Sequence, residues 1–132
     1  MTEHDNKLSE FKSKSGVKRI YAAFFNSIEG FKIAWKTEHA FRQELMLIVP
    51  AAVVALLLPV SRLEKLALIA VLVLVLMVEL INSALETVVD RISMERHPLS
   101  KNAKDLGSAA VCLALLVAVA TWGVIVLPII LR

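Results

Sequence analysis

The chain has 132 residues, of which 58% are hydrophobic and 20% are charged, and its formal net charge is +3. A soluble domain this short exposes a large share of its surface, so it cannot bury that much apolar area. The composition therefore excludes an ordinary soluble domain and predicts a single integral membrane domain over residues 1–132.

The N-terminal part of the chain divides into a tail and a helix. Residues 1–16 are mostly polar and predict a tail without regular structure. Over residues 17–36, apolar and aromatic side chains recur at steps of three and four residues, which predicts an amphipathic helix. Its aromatic face and basic flanks are typical of a helix that lies in the membrane interface. A helix packed on a soluble partner is the alternative interpretation.

Three apolar runs follow, and each is close to or above the roughly 20 residues that a helix needs to cross hydrocarbon. Because backbone polar groups in lipid must be satisfied within the segment, the runs predict transmembrane helices at 39–60, 64–91 and 102–131. Pro59 is predicted to mark the end of the first span and Pro50 to kink it. The predicted fold class is all-α, with an interfacial helix before three transmembrane helices.

The basic residues give these spans a direction. Of the 15 Lys and Arg residues, eight precede the first span, two lie in the first loop, four lie in the second loop and one ends the chain. Basic residues concentrate on the cytoplasmic side of membrane proteins. The N-terminus and the second loop are therefore predicted to be cytoplasmic, with the first loop and the C-terminus outside.

The second span carries a polar stripe on an otherwise apolar helix. Its members are Glu79, Asn82, Ser83, Glu86 and Asp90. Steps of three, four and four residues keep Glu79, Asn82, Glu86 and Asp90 within an arc of roughly 80° around the helix. Glu79 lies about 10 Å of helix rise deeper than Glu86. A carboxylate at that depth costs several kcal/mol unless it is paired, solvated or protonated.

The starts of the first and third spans carry ionisable residues at the same level of the membrane. These are Glu38 and Arg42 on one side and Lys101, Lys104, Asp105 and Ser108 on the other. Residues three and four apart share a helix face, so each set points one way. The three helix ends therefore predict one acidic pocket, formed by Glu38, Glu79, Glu86 and Asp105 with Lys104 and Arg42 at its edge.

Two interpretations of this pocket are open. A structural polar seam that joins helices by hydrogen bonds suits Asn82, Ser83 and Ser108. Four acids with few bases nearby suit it poorly and favour a functional site for a hard cation such as Mg²⁺. The sequence contains no glycine-rich phosphate loop and no Ser-His-Asp set. Residue pattern alone leaves a magnesium-dependent transferase and a small ion-translocating subunit as alternatives.

Four stretches of the sequence carry a resemblance to a known family. Residues 79–91 read ELINSALETVVDR and are followed by Glu95-Arg96-His97 and by AKDLGSAAV at 103–111. Residues 38–44 read EHAFRQE. Together with the number of spans and the loop lengths, these stretches resemble the prokaryotic diacylglycerol kinase family over roughly residues 17–128.

The resemblance implies a homotrimeric lipid kinase of the bacterial inner membrane, with no nucleic-acid partner. Such an enzyme transfers the γ-phosphate of ATP to diacylglycerol, with Mg²⁺ as cofactor, and makes phosphatidic acid. The resemblance implies that Glu79 is the general base and that Glu38 and Glu86 bind Mg²⁺. It places Arg19, Asn26, Asn82, Glu95, Arg96, His97, Lys104 and Asp105 at the nucleotide. It places Arg19, Gln43, Glu44, Glu79 and Ser108 at the lipid substrate.

Two points of this assignment stay open. Asn26 and Arg96 stand where aromatic residues can occur in the family, so base stacking on the nucleotide is assigned to neither. Family relatives that phosphorylate undecaprenol share the acidic cluster and are the alternative enzyme, although Gln43-Glu44 and residues 107–111 look more like the diacylglycerol type. A non-catalytic ion-binding membrane subunit is the alternative outside enzymes.

Overall fold

The computed structural model describes residues 16–92 and 97–131, and the regular structure in these ranges is entirely helical. The helices are α1 (Gly16–Thr37), α2 (His39–Leu57), α3 (Arg62–Ile92) and α4 (Pro98–Ile130). The described residues fall into two compact units, one that holds α1 and one that holds α2, α3 and α4. The predicted polar tail lies outside the described residues except for its last position, Gly16.

Helix α1 is amphipathic, and its aromatic side chains are exposed in the single chain. Tyr21, Phe24 and Phe25 keep 67%, 61% and 46% of their surface accessible. Their rings contact one another, with centroids 4.6 Å apart for Tyr21 and Phe25 and 5.7 Å apart for Phe24 and Phe25. Aromatic rings grouped in this way on one helix suit the headgroup level of a membrane.

Helices α2, α3 and α4 are long and apolar enough to cross a membrane. They contain 19, 31 and 33 residues. At 1.5 Å per residue, α3 and α4 measure about 46 Å and about 50 Å, well beyond the roughly 30 Å of hydrocarbon in a bilayer. Parts of α3 and α4 therefore extend out of the hydrocarbon layer. The prediction of an all-α chain with three spans after an N-terminal helix is confirmed.

The turn between α2 and α3 is fixed by local hydrogen bonds. Helix α2 runs through Pro50 and ends at Leu57, just before Pro59, which cannot continue the helical hydrogen bonds. A capping box begins α3, because the Glu64 amide donates to Ser61 Oγ (3.2 Å) and the Ser61 amide donates to Glu64 Oε2 (2.8 Å). Lys65 Nζ donates to the main-chain carbonyl of Leu56. This short turn makes α2 and α3 antiparallel.

Helix α3 packs against both α2 and α4, most extensively against α4. Small buried residues of α4, including Ala114 and Ala118, allow a close approach to Val75 of α3. Farther from the polar stripe of α3, Trp122 Nε1 of α4 donates to the main-chain carbonyl of Leu68 of α3 at 3.2 Å. These contacts set which face of α3 is turned toward α4, and hence where the polar stripe of α3 points.

Candidate active site

Glu79 is the centre of the polar stripe on α3. It is only 5% exposed and is the one buried charged side chain among residues 16–92 and 97–131. Its carboxylate interacts electrostatically with those of Glu38 and Glu86, and Glu44 interacts in the same way with Glu79. The described structure thus brings four glutamates together around one buried member.

The antiparallel run of α2 and α3 explains why these four meet. Glu44 lies six residues into α2 from Glu38, and Glu79 lies seven residues into α3 from Glu86, so both inner acids sit about 9–10 Å deeper along their helices. Each helix contributes one outer and one inner carboxylate at matching levels. The similar offsets, six and seven residues, are visible in the sequence and could have identified Glu44 as a member of the cluster without any resemblance.

Glu44 has an unusual environment. Its Oε2 atom is buried and has no hydrogen-bond partner. It lines a cavity of about 240 Å³ whose other walls are apolar or aromatic side chains of all three spans, namely Leu47, Ile48, Ala51, Leu72, Val75, Leu115, Ala118, Val119 and Trp122. A buried acceptor without a partner costs about 1–3 kcal/mol. The cavity therefore suits an apolar molecule that carries a hydrogen-bond donor at the Glu44 end.

The outer part of the stripe is held by an amide. Asn82 Nδ2 donates to Glu86 Oε1 at 3.3 Å, one turn along α3. Both side chains are half-buried. Facing them is Gly107 of α4, which is buried and has no side chain to displace the amide. The Glu86 carboxylate is thus hydrogen-bonded within its own helix, and the amide that donates this bond lies against α4.

Two ion pairs lie at the same end of α3 and α4. Lys104 Nζ contacts Asp90 Oδ1 at 2.6 Å and joins the two helices. Lys101 Nζ contacts Asp105 Oδ2 at 2.5 Å within α4. Asp105, which the sequence grouped with the glutamates of the pocket, thus has an exposed lysine as its partner in the structure. The Asp90–Lys104 pair was not anticipated, because the sequence does not reveal which faces of α3 and α4 meet.

The remaining predicted site residues lie in different places. His97 caps α4, and its Nδ1 atom accepts a hydrogen bond from the Leu99 amide at 3.2 Å. Gln43 and Ser108 are exposed on α2 and α4. Arg19 and Asn26 are exposed on α1, in the other compact unit. Glu95 and Arg96 lie outside the described residues.

The donor set can be compared with what a metal requires. Within the two described ranges, no group of three or more His, Cys, Asp or Glu side chains is arranged to hold a metal ion. Mg²⁺ is commonly held by one or two carboxylates together with substrate phosphates and water. Glu38 and Glu86, both neighbours of Glu79, meet that smaller requirement. The chemistry of the residues fits a magnesium ion that binds together with a phosphate ligand.

These features define a multi-pass helical membrane protein with an acidic site set into one end of its bundle. A family model described as prokaryotic diacylglycerol kinase matches residues 25–126, which include α2, α3 and most of α4. The diacylglycerol kinase of Pseudomonas aeruginosa is 55% identical over 119 residues, covering 90% of this chain and 97% of the relative. That of Escherichia coli K12 is 48% identical over 108 residues, covering 82% and 88%. That of Haemophilus influenzae is 45% identical over 97 residues, covering 74% and 82%.

The chain belongs to the prokaryotic diacylglycerol kinase family. Its enzyme class is therefore that of a lipid kinase, and the prediction drawn from residues 38–44, 79–97 and 103–111 is confirmed.

Proposed function

We propose that the chain phosphorylates diacylglycerol to phosphatidic acid at the cytoplasmic face of a bacterial inner membrane, using ATP and Mg²⁺. The observation that carries this proposal is the buried Glu79 among three further glutamates at one end of a membrane-spanning bundle. A carboxylate below the charged surface of the bundle suits a hydroxyl whose acyl chains stay in the membrane.

Glu79 acts as the general base in this proposal. The hydroxyl oxygen of the lipid attacks the γ-phosphorus of ATP, the bond to the β,γ-bridging oxygen breaks, and Glu79 accepts the hydroxyl proton. A general base must lie within hydrogen-bond reach of the proton that it takes. The unpartnered Glu44 oxygen lies beside Glu79 at the edge of the apolar cavity, where it can accept a hydrogen bond from the lipid headgroup.

The residues at the outer end of the site bind the phosphates of ATP in this proposal. Glu38 and Glu86 are the proposed ligands of Mg²⁺, which when bound neutralises charge on the phosphates. Lys104 stabilises the same charge by exchanging Asp90 for a phosphate oxygen, at little cost in stability because solvent-exposed ion pairs contribute little to it. The other residues proposed at the nucleotide are Arg19, Asn26, Asn82, Glu95, Arg96, His97 and Asp105.

The remaining lipid contacts and the assembly are also proposals. Arg19, Gln43 and Ser108 complete the lipid site. The homotrimer is proposed because the resemblance to the family implies it, and the large apolar side chains exposed on the spans, such as Leu57 at 78% and Val124 at 76%, leave surface for further copies as well as for lipid. The excess of basic residues before α2 and between α3 and α4 supports a cytoplasmic N-terminus.

A direct assay tests this function. The purified protein is placed in lipid vesicles with diacylglycerol, Mg²⁺ and ATP labelled at the γ-phosphate, and we expect label to appear in phosphatidic acid. Undecaprenol offered in the same vesicles measures lipid preference, and we expect diacylglycerol to be phosphorylated faster. Magnesium binding without any phosphorylated lipid would contradict the proposal and support a non-catalytic ion-binding subunit.

A further inference from the structure

A buried glycine of α4 lies directly against the polar stripe of α3. Gly107 is buried in the α3–α4 interface. A Cβ atom at this position would overlap the Oδ1 atom of Asn82, and the next side chain that it would meet is Leu85, at 3.9 Å. The site is helical and has no positive φ angle, so the backbone conformation does not require glycine. The requirement comes from the Asn82 amide.

The orientation of that amide matters for Glu86. Because the Oδ1 atom of Asn82 lies over Gly107, the Nδ2 atom is turned along α3 and donates to Glu86 Oε1 at 3.3 Å. Oδ1 is itself buried and has no hydrogen-bond partner, so its position is not explained by a bond of its own. It is explained by close helix packing, in which a carbonyl oxygen meets the Cα–H group of a glycine.

We infer that Gly107 and Asn82 are positioning residues, which together fix the orientation of the Glu86 carboxylate as a ligand in the site. This inference rests on the proposed function, because it concerns Glu86 as a ligand of Mg²⁺. Packing between α3 and α4 is thereby coupled to the metal site through one amide. A role in packing alone makes a different prediction, since any pair of side chains that fills the interface would then serve.

The test measures binding of a non-hydrolysable ATP analogue to the purified, full-length protein while Mg²⁺ is titrated, with no lipid substrate present. We expect Gly107→Ala to raise the Mg²⁺ concentration needed for half-maximal binding about tenfold, or about 1.4 kcal/mol, because the displaced amide no longer orients the Glu86 carboxylate. Asn82→Ala should raise it to a similar extent. Gly107→Ala in the Asn82→Ala background should add no further change, because the amide through which it acts is gone.

The matched control is Gly123→Ala on the same helix, where an added Cβ meets only Leu127, at an ordinary 3.9 Å. It should leave the Mg²⁺ requirement unchanged. If Gly107→Ala does not fold, the Asn82→Ala variant and the double variant, which has room for the Cβ, still report on the amide. An unchanged Mg²⁺ requirement in Asn82→Ala, or an equal effect of Gly107→Ala in both backgrounds, overturns the inference.

Glu86→Gln separates this inference from the function on which it rests. It should raise the Mg²⁺ requirement at least as much as Asn82→Ala does. If Glu86→Gln changes the requirement and the Gly107 and Asn82 variants do not, only the positioning role fails. If Glu86→Gln also has no effect, the assignment of Glu86 to the metal fails and the inference fails with it.

Discussion

Glu79 is a carboxylate buried inside an apolar helix bundle, and its surroundings indicate a functional role for it. It is 5% exposed and interacts electrostatically with glutamates at positions 38, 44 and 86, an arrangement that stability alone does not favour. A structural seam would pair such a group with a base or with hydrogen-bond donors. An unfavourable group held in place by the fold is typical of a site whose chemistry needs it.

The first prediction concerns the proposed base. Glu79→Gln keeps the size of the side chain and removes its ability to accept a proton as a carboxylate does. We expect phosphatidic acid formation to fall by a factor of about 10²–10⁴, while binding of an ATP analogue with Mg²⁺ is retained. Glu64→Gln, at the opposite end of α3, is the control and should keep its activity. Loss of folding in Glu79→Gln would favour the structural seam instead.

Glu44 gives a second prediction at this scale. Its buried Oε2 atom has no partner, and its carboxylate repels that of Glu79. Glu44→Gln removes this charge, so we expect the free energy of unfolding in detergent to rise by about 1 kcal/mol. We also expect the KM for lipid to rise and the KM for ATP to stay unchanged. A variant that is less stable than the parent, or one whose KM for ATP is the value that changes, would contradict this role.

At the scale of secondary structure, helices α3 and α4 form an antiparallel pair that is joined by different contacts at its two ends. At one end Trp122 donates to the carbonyl of Leu68, 54 residues away in the chain. At the other end Asp90 and Lys104 form an ion pair, with side chains 59% and 38% exposed. The first contact lies within the apolar part of the bundle, and the second lies where a charged ligand can reach it.

The third prediction follows from the exposure of that ion pair. Lys104→Met should raise the KM for ATP about tenfold or more, because a cation facing the phosphates is lost. It should leave the free energy of unfolding nearly unchanged, because solvent-exposed ion pairs contribute little to stability. Lys101→Met is the matched control, since Lys101 also pairs with a carboxylate, Asp105, on the surface of α4. Equal effects of the two substitutions on the KM for ATP would remove Lys104 from the nucleotide site.

The whole molecule presents an apolar surface that is far from covered in the single chain. Large hydrophobic side chains are exposed along α2, α3 and α4, among them Leu57 at 78% and Val124 at 76%. Lipid and further copies of the chain are the natural partners of such a surface. The site meanwhile lies at the end of the bundle near the loop between α3 and α4, so the orientation of the chain decides which compartment supplies the nucleotide.

The fourth prediction tests that orientation. Cys112 is replaced by serine, and a single cysteine is introduced either at Ser61 in the first loop or at Asn102 near the start of α4. In intact bacterial cells, a thiol reagent that cannot cross the inner membrane should label the cysteine at 61. It should label the cysteine at 102 only after that membrane is opened. The reverse pattern would place the site outside and would exclude cytoplasmic ATP as the phosphate donor.

The sequence by itself determined the three candidate spans, the N-terminal helix and how far along its helix each charged residue lies. These properties depend on local hydropathy, helix length and the rise per residue, which need no knowledge of neighbouring helices. The family could be identified from the motifs within residues 38–44 and 79–111, because a long run of particular side chains is specific to one family. Composition alone is shared by many membrane proteins.

The tertiary structure alone decided which side chains meet. Lys104 pairs with Asp90, and Asp105 pairs with Lys101. Gly107 lies against the side-chain amide of Asn82. Spacing along one helix predicts a shared face, but it does not give the rotation of that helix against the next. That rotation is set by packing between residues far apart in the chain, such as Val75 with Ala114 and Ala118, and the arrangement of the polar stripe follows from it.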